Sequence, residues 1–272
     1  MRKKYILEGI TEEGTPDMKY YAFDWDDNIL TMPTKIVLKD VDGDEVGMST
    51  EDFAHHREKI GKENFEYDGH EIVGFAQNPF RYFSIEGDKR FIIDSMLAKP
   101  GPAWTDFVEA INNGSVFSIV TARGHTPSVI KESVYNMIIS NHMGINSNEL
   151  IKNLEKFRDL EGVGKSSKRD MILEYLDMCR FYPVTYGEGS ATNPEEGKIK
   201  ALKDFVDYVK RISKMINKKA YLKNKISNRF TPMIGFSDDD LRNLEKVKQH
   251  FEKDPENIIK TISTAGGIKK PY

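Results

Sequence analysis

Residues 21–30 read Tyr-Ala-Phe-Asp-Trp-Asp-Asp-Asn-Ile-Leu, a short apolar run that ends abruptly in carboxylates. If the run is a buried parallel strand, Asp24 and Asp26 lie at its carboxyl end, where open α/β sheets bind ligands. Side chains two positions apart on an extended backbone point the same way, so both carboxylates can face one pocket. Because two acids in one pocket repel each other, a cation or a proton must lie between them. The stretch indicates a hard metal such as Mg²⁺ or a nucleophile beside a general acid, with an Asp-rich turn as the structural alternative.

The composition is that of a globular protein with a polar surface. The chain has 272 residues, enough for one elaborated α/β domain or for a core domain with a smaller insert. Apolar residues make up 39% and charged residues 31% of the chain. The net charge of −3 gives the whole molecule no attraction to nucleic acid or to an anionic membrane.

The sequence also indicates a cellular compartment. A single cysteine, Cys179, excludes an intramolecular disulfide and a thiolate metal cluster, and the six histidines lack metal-ligand spacing. No apolar run approaches the length of a membrane span, and the first residues lack the apolar stretch of a signal peptide. We expect a cytoplasmic protein without a membrane partner.

Strand-like and helix-like segments alternate along the chain. The predicted core strands are 20–24, 115–120, 181–186, 232–236 and 258–262, and the predicted helices are 105–112, 128–141, 146–160, 167–179 and a long one from residue 194. This alternation predicts an α/β fold with a doubly wound, parallel (Rossmannoid) sheet.

An insertion follows the first strand. Nearly a hundred residues separate Asp24 from the next core strand, whereas a plain βαβ crossover needs about 30. The insertion begins with a hairpin around Asp42-Gly43, followed by a short helix within 50–62 and strand-like runs at 71–76 and 90–94. We predict a core domain of residues 1–48 and 100–272, which includes the hairpin, and a cap subdomain of residues 49–99.

Four polar sites fall at strand ends or helix starts, at Asp24/Asp26, Thr121, Lys198 and Asp238/Asp239. Over roughly residues 20–265 this order resembles the haloacid dehalogenase (HAD) superfamily of phosphohydrolases. Asp24-Trp25-Asp26-Asp27-Asn28 looks like its Asp-x-Asp motif, and the apolar run ending in Thr121 looks like its second motif. Lys198 lies where the third-motif lysine does, and Ile234-Gly235-Phe236-Ser237-Asp238-Asp239 looks like the fourth motif. The hairpin and the insertion match the family's flap and its cap after the first motif, which implies a HAD-like fold.

The resemblance implies a Mg²⁺-dependent phosphatase that hydrolyses a phosphomonoester through an aspartyl-phosphate. Asp24 is then the nucleophile, and Asp26 protonates the leaving oxygen and later takes a proton from water. Lys198 and Thr121 hold the non-bridging oxygens. The implied metal site comprises Asp24, the backbone carbonyl of Asp26, and Asp238, with Asp239 as the alternative direct ligand and Asn243 as a partner of Asp238.

Structural alternatives exist for these residues. Thr121 also fits a polar strand end, Lys200 and Lys203 compete with Lys198, and residues 238–240 also fit a helix cap. The motif departs from the family's usual pattern at Asp27, where Gly is common, and at Asn28, where Thr or Val is usual. We expect Asn28 to bind a phosphate oxygen or to cap the turn. Arg123 is either a second clamp on the substrate or a surface salt bridge.

Residues 210–229 carry eight lysines and arginines and no acid. Such a run is usually a solvated helix face, although it also suits a nucleic-acid backbone, with Tyr221 or Phe230 able to stack. The leading partner is a small phosphorylated substrate. The alternatives are a phosphatase that processes nucleic-acid ends and a non-catalytic binding protein on a HAD scaffold. Substrate identity and oligomeric state stay open at this point.

Overall fold

The computed structural model describes residues 17–161, 166–187, 193–224, 231–254, 256 and 258–272. The strands are β1 (Asp17–Phe23), β2 (Leu30–Thr31), β3 (Ile36–Asp40), β4 (Glu45–Met48), β5 (Phe65–Tyr67), β6 (His70–Phe75), β7 (Lys99–Pro100), β8 (Phe117–Thr121), β9 (Arg180–Pro183), β10 (Thr231–Asp238), β11 (Ile259–Ser263) and β12 (Lys270–Pro271). The helices are α1 (Thr50–His56), α2 (Asp88–Leu97), α3 (Trp104–Asn112), α4 (Pro127–Ile139), α5 (Ser147–Glu161), α6 (Lys168–Met178), α7 (Pro194–Asn224) and α8 (Leu241–Phe251).

The main sheet has six strands in the order β12-β11-β10-β1-β8-β9. All neighbouring strands are parallel except the short β12, which runs antiparallel to β11. The strand that carries the acidic motif, β1, is therefore central, with Phe23 aligned to Ser237 of β10 and to Ile119 of β8. The predicted α/β class with a mostly parallel sheet is confirmed.

Both faces of the main sheet are covered. Phe23 packs into a core formed with α3, α4, α5 and α6, and its neighbour Ala22 packs into a second core formed with α7 and α8. This follows from the period of two along a strand, which sends successive side chains to opposite faces. Each large apolar side chain buried in these cores contributes roughly 1.5–3 kcal/mol. The burial on both faces explains why the strands read as continuous apolar runs.

A second, smaller sheet has the order β4-β3-β6-β5 and is antiparallel throughout. The predicted hairpin is its first pair, and Gly43 at its turn has a φ of 91°, which glycine adopts without strain. The predicted domain boundary after residue 48 cuts through this sheet, because β3 lies before it and pairs with β6, which lies after it. The sequence could not show this, since β3 and β6 pair across about 35 residues of chain.

The strand expected at 90–94 is wrong, because these residues belong to helix α2. Phe91, Asp94 and Ser95 are the buried residues of this helix, at the spacing i, i+3, i+4. Phe91 packs into the core of the main sheet, so α2 belongs to that layer although it was predicted to be part of the cap. None of the described helices is both long enough and apolar enough to cross a membrane.

Candidate active site

The carboxyl ends of three parallel strands bring the predicted acidic and hydroxyl groups together. Asp24 follows β1 directly, Thr121 is the last residue of β8, and Asp238 is the last residue of β10. The backbone N–H of Asp24 donates to the carbonyl oxygen of Ser237 at 2.9 Å, which holds two of these ends in register. The edge is the one at which open α/β sheets bind ligands.

Lys198 lies near the start of α7 and reaches this edge. Its Nζ donates to Oδ1 of Asp24 at 2.9 Å and to Oδ2 of Asp238 at 2.8 Å. All three side chains are buried. Burial disfavours the charge of the ammonium, but Asp238 and Asp24 outweigh it and raise the pKa of Lys198 above its usual value. The ion pairs join residues that are 174 and 40 positions apart and that the sequence assigns to one site, whereas the expected contact of Lys198 with phosphate oxygens stays a prediction.

The acidic residues 238–240, at the end of β10, have two different structural roles. The carboxylate of Asp240 caps α8 by accepting from the backbone N–H of Arg242. Asp238 is fully buried, and its two oxygens accept from the Asn243 amide at 3.0 and 3.1 Å and from the backbone N–H of Asp240 at 2.9 Å. Together with Lys198, these donors occupy the lone pairs of Asp238.

Asp239 completes a cluster of three carboxylates. Oxygen atoms of Asp24, Asp238 and Asp239 all lie within 4.8 Å of one another. Burial, despite Lys198, raises the pKa of Asp24 to about 8, with Asp238 adding to the rise. Burial and then the charges of Asp238 and Asp24 raise the pKa of Asp239 to about 9. One ammonium cannot balance three carboxylates, so the donor set fits a hard divalent cation with oxygen ligands. We call Lys198, Asp24, Asp238 and Asp239 the lysine half of the site.

Asp26 belongs to a different network. Arg123 donates from Nε to Oδ2 of Asp26 at 2.8 Å and from Nη2 to Oδ1 at 2.6 Å. Its Nη1 lies 3.4 Å from Nε2 of His125, whose Nδ1 lies 2.9 Å from Oδ1 of Asp88. Burial and the charge of Arg123 lower the pKa of His125, which suits a neutral imidazole between the two partners. We call Asp26, Arg123, His125 and Asp88 the arginine half.

Thr121 is the last residue of β8, the strand beside β1. Its side chain is 1% exposed, and its Oγ1 accepts from the backbone N–H of Arg123 at 3.2 Å. Its strand end is next to that of β1, from which Asp24 follows. The predicted contact of this hydroxyl with a phosphate oxygen stays a prediction.

Asn28 is tied into the protein. Its Nδ2 donates to the carbonyl oxygen of Asp24 and to both the carbonyl oxygen and Oγ of Ser237, and its Oδ1 accepts from Thr264. The side chain is fully buried. The amide therefore fastens the ends of β1 and β10 to each other, and its predicted contact with a phosphate stays a prediction.

Asp88 and Thr50 were not predicted from the sequence as residues of the site, and Asp88 carries no local signal. Thr50, the first residue of α1, donates to Oδ2 of Asp27 at 2.6 Å and so joins the region of the small sheet to the loop of the site. The contacts of Asp88 with His125 and of Thr50 with Asp27 join residues that no predicted strand order brings together.

The basic segment 210–229 begins on α7, the helix that also carries Lys198. Lys210 pairs with Glu256 at 2.9 Å and with Asp254 at 3.5 Å. The side chains from residue 219 onward, including those of Tyr221 and Phe230, lie outside the described residues. An electrostatic track for nucleic acid stays a prediction.

Comparisons with known proteins add no assignment to this geometry. No protein-family model, no curated protein and no solved structure matches the chain.

Proposed function

We propose that this protein is a Mg²⁺-dependent phosphatase of HAD type, which hydrolyses a phosphomonoester through an aspartyl-phosphate. The observation that carries the proposal is the Lys198 ammonium between Asp24 and Asp238, at the carboxyl end of the central strands. Three of the four motifs that resemble the superfamily supply these groups. The remaining one, the second motif, supplies Thr121, whose strand β8 is the direct neighbour of β1.

Asp24 is the nucleophile in this proposal. Lys198 bonds to Oδ1 of Asp24, and among the described residues no donor bonds to Oδ2. Oδ2 attacks phosphorus, the bond from phosphorus to the leaving oxygen breaks, and Asp26 gives that oxygen a proton. Water then attacks phosphorus, Asp26 takes up its proton, and Asp24 is released with inorganic phosphate. Lys198 and Thr121 stabilise the non-bridging oxygens while charge moves through the transition state.

A bound Mg²⁺ supplies the positive charge that lets a phosphate dianion approach a cluster of carboxylates. Asp24 and Asp239 are the side chains that would hold it. Asp238 is the weaker candidate, because Lys198, Asn243 and the backbone of Asp240 already occupy its oxygens. Among the described residues no donor bonds to the carboxylate of Asp239. Asp239 is therefore the direct ligand in this proposal, and Asp238 fixes Lys198.

The backbone of the first motif supports the same assignment. Asp27 has a φ of 51°, a left-handed conformation that Gly adopts freely and that Asp tolerates. The residue commonly found at this position in the superfamily is Gly. We infer that the chain must turn here, and that Asp27 meets the requirement while its carboxylate accepts from Thr50. The small sheet and α1, joined to the site by this bond, take the place of the family's cap.

The test is release of inorganic phosphate from a generic aryl phosphate in the presence of Mg²⁺. The wild type turns over, and Asp24→Asn, which keeps the shape of the side chain and removes the nucleophile, loses at least about a thousandfold in kcat. Asp42→Asn is the matched control, since Asp42 is an exposed acid in the hairpin turn. Equal rates for the wild type and Asp24→Asn refute the proposal.

A further inference from the structure

The guanidinium of Arg123 is held by hydrogen bonds and by aromatic rings. It is 1% exposed, and it makes two parallel hydrogen bonds to the carboxylate of Asp26. The rings of Phe83 and Phe91 lie 4.4 and 5.1 Å from its Cζ. Such a planar, two-pronged bond sets both the position and the rotation of a carboxylate, which a lysine ammonium does not.

A chain of further contacts keeps the guanidinium in place. Nη1 of Arg123 is 3.4 Å from Nε2 of His125, and Nδ1 of His125 is 2.9 Å from Oδ1 of Asp88. His125 is fully buried and also packs on the ring of Phe91 at a centroid distance of 4.4 Å. Asp88 is the first residue of helix α2, so this series of contacts ends on a regular helix.

The backbone reinforces the same arrangement. The N–H of Gly124 donates to the carbonyl oxygen of Phe83 at 2.7 Å, and Ser84 forms an isolated β-bridge with Gly124. The segment that carries Phe83 comes from the insertion between β1 and β8. The loop after β8 is therefore fastened on one side to the insertion and on the other side to the site.

We propose that Arg123 is a positioning residue that acts through Asp26, and that His125 and Asp88 hold Arg123 in turn. The inference rests on the proposed function, because it assigns these residues to the orientation of the carboxylate that moves the proton. It differs from a clamp on the substrate, since both donors that face Asp26 are already used by that carboxylate. Proton transfer requires a donor within hydrogen-bond reach, so a rotated Asp26 loses catalysis even when substrate still binds.

The two roles predict different kinetics. A positioning residue that acts through Asp26 affects kcat, and its effect disappears once Asp26 is gone. A residue that binds the phosphate directly affects KM, and its effect persists without Asp26. A double-mutant cycle separates the two.

The cycle uses the wild type, Asp26→Asn, Arg123→Met and the double variant, assayed with an aryl phosphate and Mg²⁺. Asp26→Asn lowers kcat by roughly 10²–10⁴-fold, the usual range for a general acid–base group. Arg123→Met lowers kcat by at least about tenfold, with KM changed less than about threefold. In the Asp26→Asn background Arg123→Met changes kcat by less than about twofold. An undiminished effect in that background, or an effect confined to KM, overturns the inference.

Substitutions of His125 provide the second set of variants, because Arg123→Met risks misfolding. The amide of a glutamine can accept from Arg123 and donate to Asp88, as the neutral imidazole does, and a leucine can do neither. We expect His125→Gln to stay within about threefold of wild-type kcat and His125→Leu to lose about tenfold. Equal losses for the two variants overturn the role of His125.

Arg81→Met is the matched control. Arg81 also makes a two-pronged bond to a carboxylate, that of Glu45, and lies over the ring of Tyr82 at 5.1 Å, but it is outside the site. Its replacement leaves kcat within about twofold. A loss equal to that of Arg123→Met overturns the inference, because any buried or stacked arginine would then have the same effect.

The midpoint of unfolding in urea measures the same double-mutant cycle without depending on catalysis. The shifts in midpoint of Asp26→Asn and Arg123→Met are less than additive in the double variant if the two side chains form the pair. Additive shifts overturn the pair itself. If the wild type hydrolyses no phosphomonoester while the shifts are non-additive, the proposed function and the catalytic role fail, and the pair is supported.

Discussion

The lysine half and the arginine half of the site each bury one cation, but they balance charge differently. Lys198 donates hydrogen bonds to two buried carboxylates, those of Asp24 and Asp238, and the carboxylate of Asp239 lies close to them. Arg123 serves one carboxylate, Asp26, and its remaining donors face a histidine whose pKa is lowered. With every carboxylate ionised, the lysine half has three negative charges against one positive charge, and burial together with this excess raises the pKa values of Asp24 and Asp239. The arginine half, with a neutral His125, has two negative charges, on Asp26 and Asp88, against one positive charge. In the proposed function the carboxylates of the lysine half would hold a cation, and the arginine half would keep Asp26 in place.

The largest effect on stability is expected from Lys198→Met. It leaves Asp24 and Asp238 buried without their shared partner, and removal of one member of a buried ion pair costs about 3–5 kcal/mol. The free energy of unfolding from urea titration measures this loss. Lys200→Met is the control, since Lys200 is exposed on the same helix and was the competing candidate for this role. Similar losses in the two variants would show that the lysine half holds no such pair.

Mg²⁺ is expected to stabilise the protein through the lysine half. A ligand at a hundred times its Kd adds about 2.7 kcal/mol, which appears as a higher Tm. The pKa values of Asp24 and Asp239, raised to about 8 and about 9, make protons compete with the metal. The rise in Tm with Mg²⁺ should therefore be larger at pH 9 than at pH 7.

Two variants locate this metal effect. Asp239→Asn should abolish most of the Mg²⁺-dependent rise in Tm, and Asp42→Asn, an exposed acid of the hairpin, should keep it. Thermal unfolding with and without Mg²⁺ measures both. A full rise in Asp239→Asn would place the metal elsewhere.

The arginine half predicts a smaller, pH-dependent effect. His125 has a lowered pKa in the folded protein, so the unfolded chain binds its proton more readily. The stabilising contribution of the neutral imidazole is present above the unfolded-state pKa of about 6.5 and is lost as the pH falls below it. The difference in unfolding free energy between the wild type and His125→Gln should fall between pH 7 and pH 5. A difference that is constant over this range would contradict a neutral His125.

The smallest effect is expected where the small sheet meets the site. Thr50→Val removes the hydrogen bond to Asp27 and keeps the side-chain shape. A partly buried hydrogen bond contributes about 0.5–1.5 kcal/mol, and urea unfolding measures the change. Burial raises the pKa of Asp27 to about 6 even though Thr50 counteracts it, so the loss should be greatest above pH 6. No change at pH 8 would mean that this bond does not join the two regions.

The lysine half was predictable from sequence because each member carries a local signal. Asp24 and Asp238 follow apolar runs, and Lys198 lies in the first turns of an evident helix. The parallel order of the strands then requires these ends to meet at one edge. In the arginine half, Asp26 has the same local signal, but its contact with Arg123 spans 97 residues and that of His125 with Asp88 spans 37. Separation along the chain does not explain the difference, because the contacts of Lys198 span 174 and 40 residues. Asp88 begins a helix that the sequence does not predict, so no predicted strand end places it beside His125.

The fold shows the same contrast between local and distant information. Helix α6 begins where Ser167 and Asp170 predict it, with Ser167 accepting from the backbone N–H of Asp170. The run Arg-Phe-Ile-Ile-Asp at 90–94 looks like a strand, yet its place against α4 and the main core makes it a helix. Tertiary packing overrides the local conformational preference of such a short apolar run. The pairing of β3 with β6, which crosses the predicted domain boundary, likewise depends on tertiary contacts.

In the proposed reaction Asp24 carries the phosphoryl group. The most direct test is to look for that group on Asp24. The wild type is mixed with an aryl phosphate and Mg²⁺, quenched in acid during turnover, and digested for peptide mass spectrometry. We predict a phosphoryl adduct on the peptide that contains Asp24, and none in Asp24→Asn. Turnover without an adduct at Asp24, or with the adduct on another residue, would contradict the account.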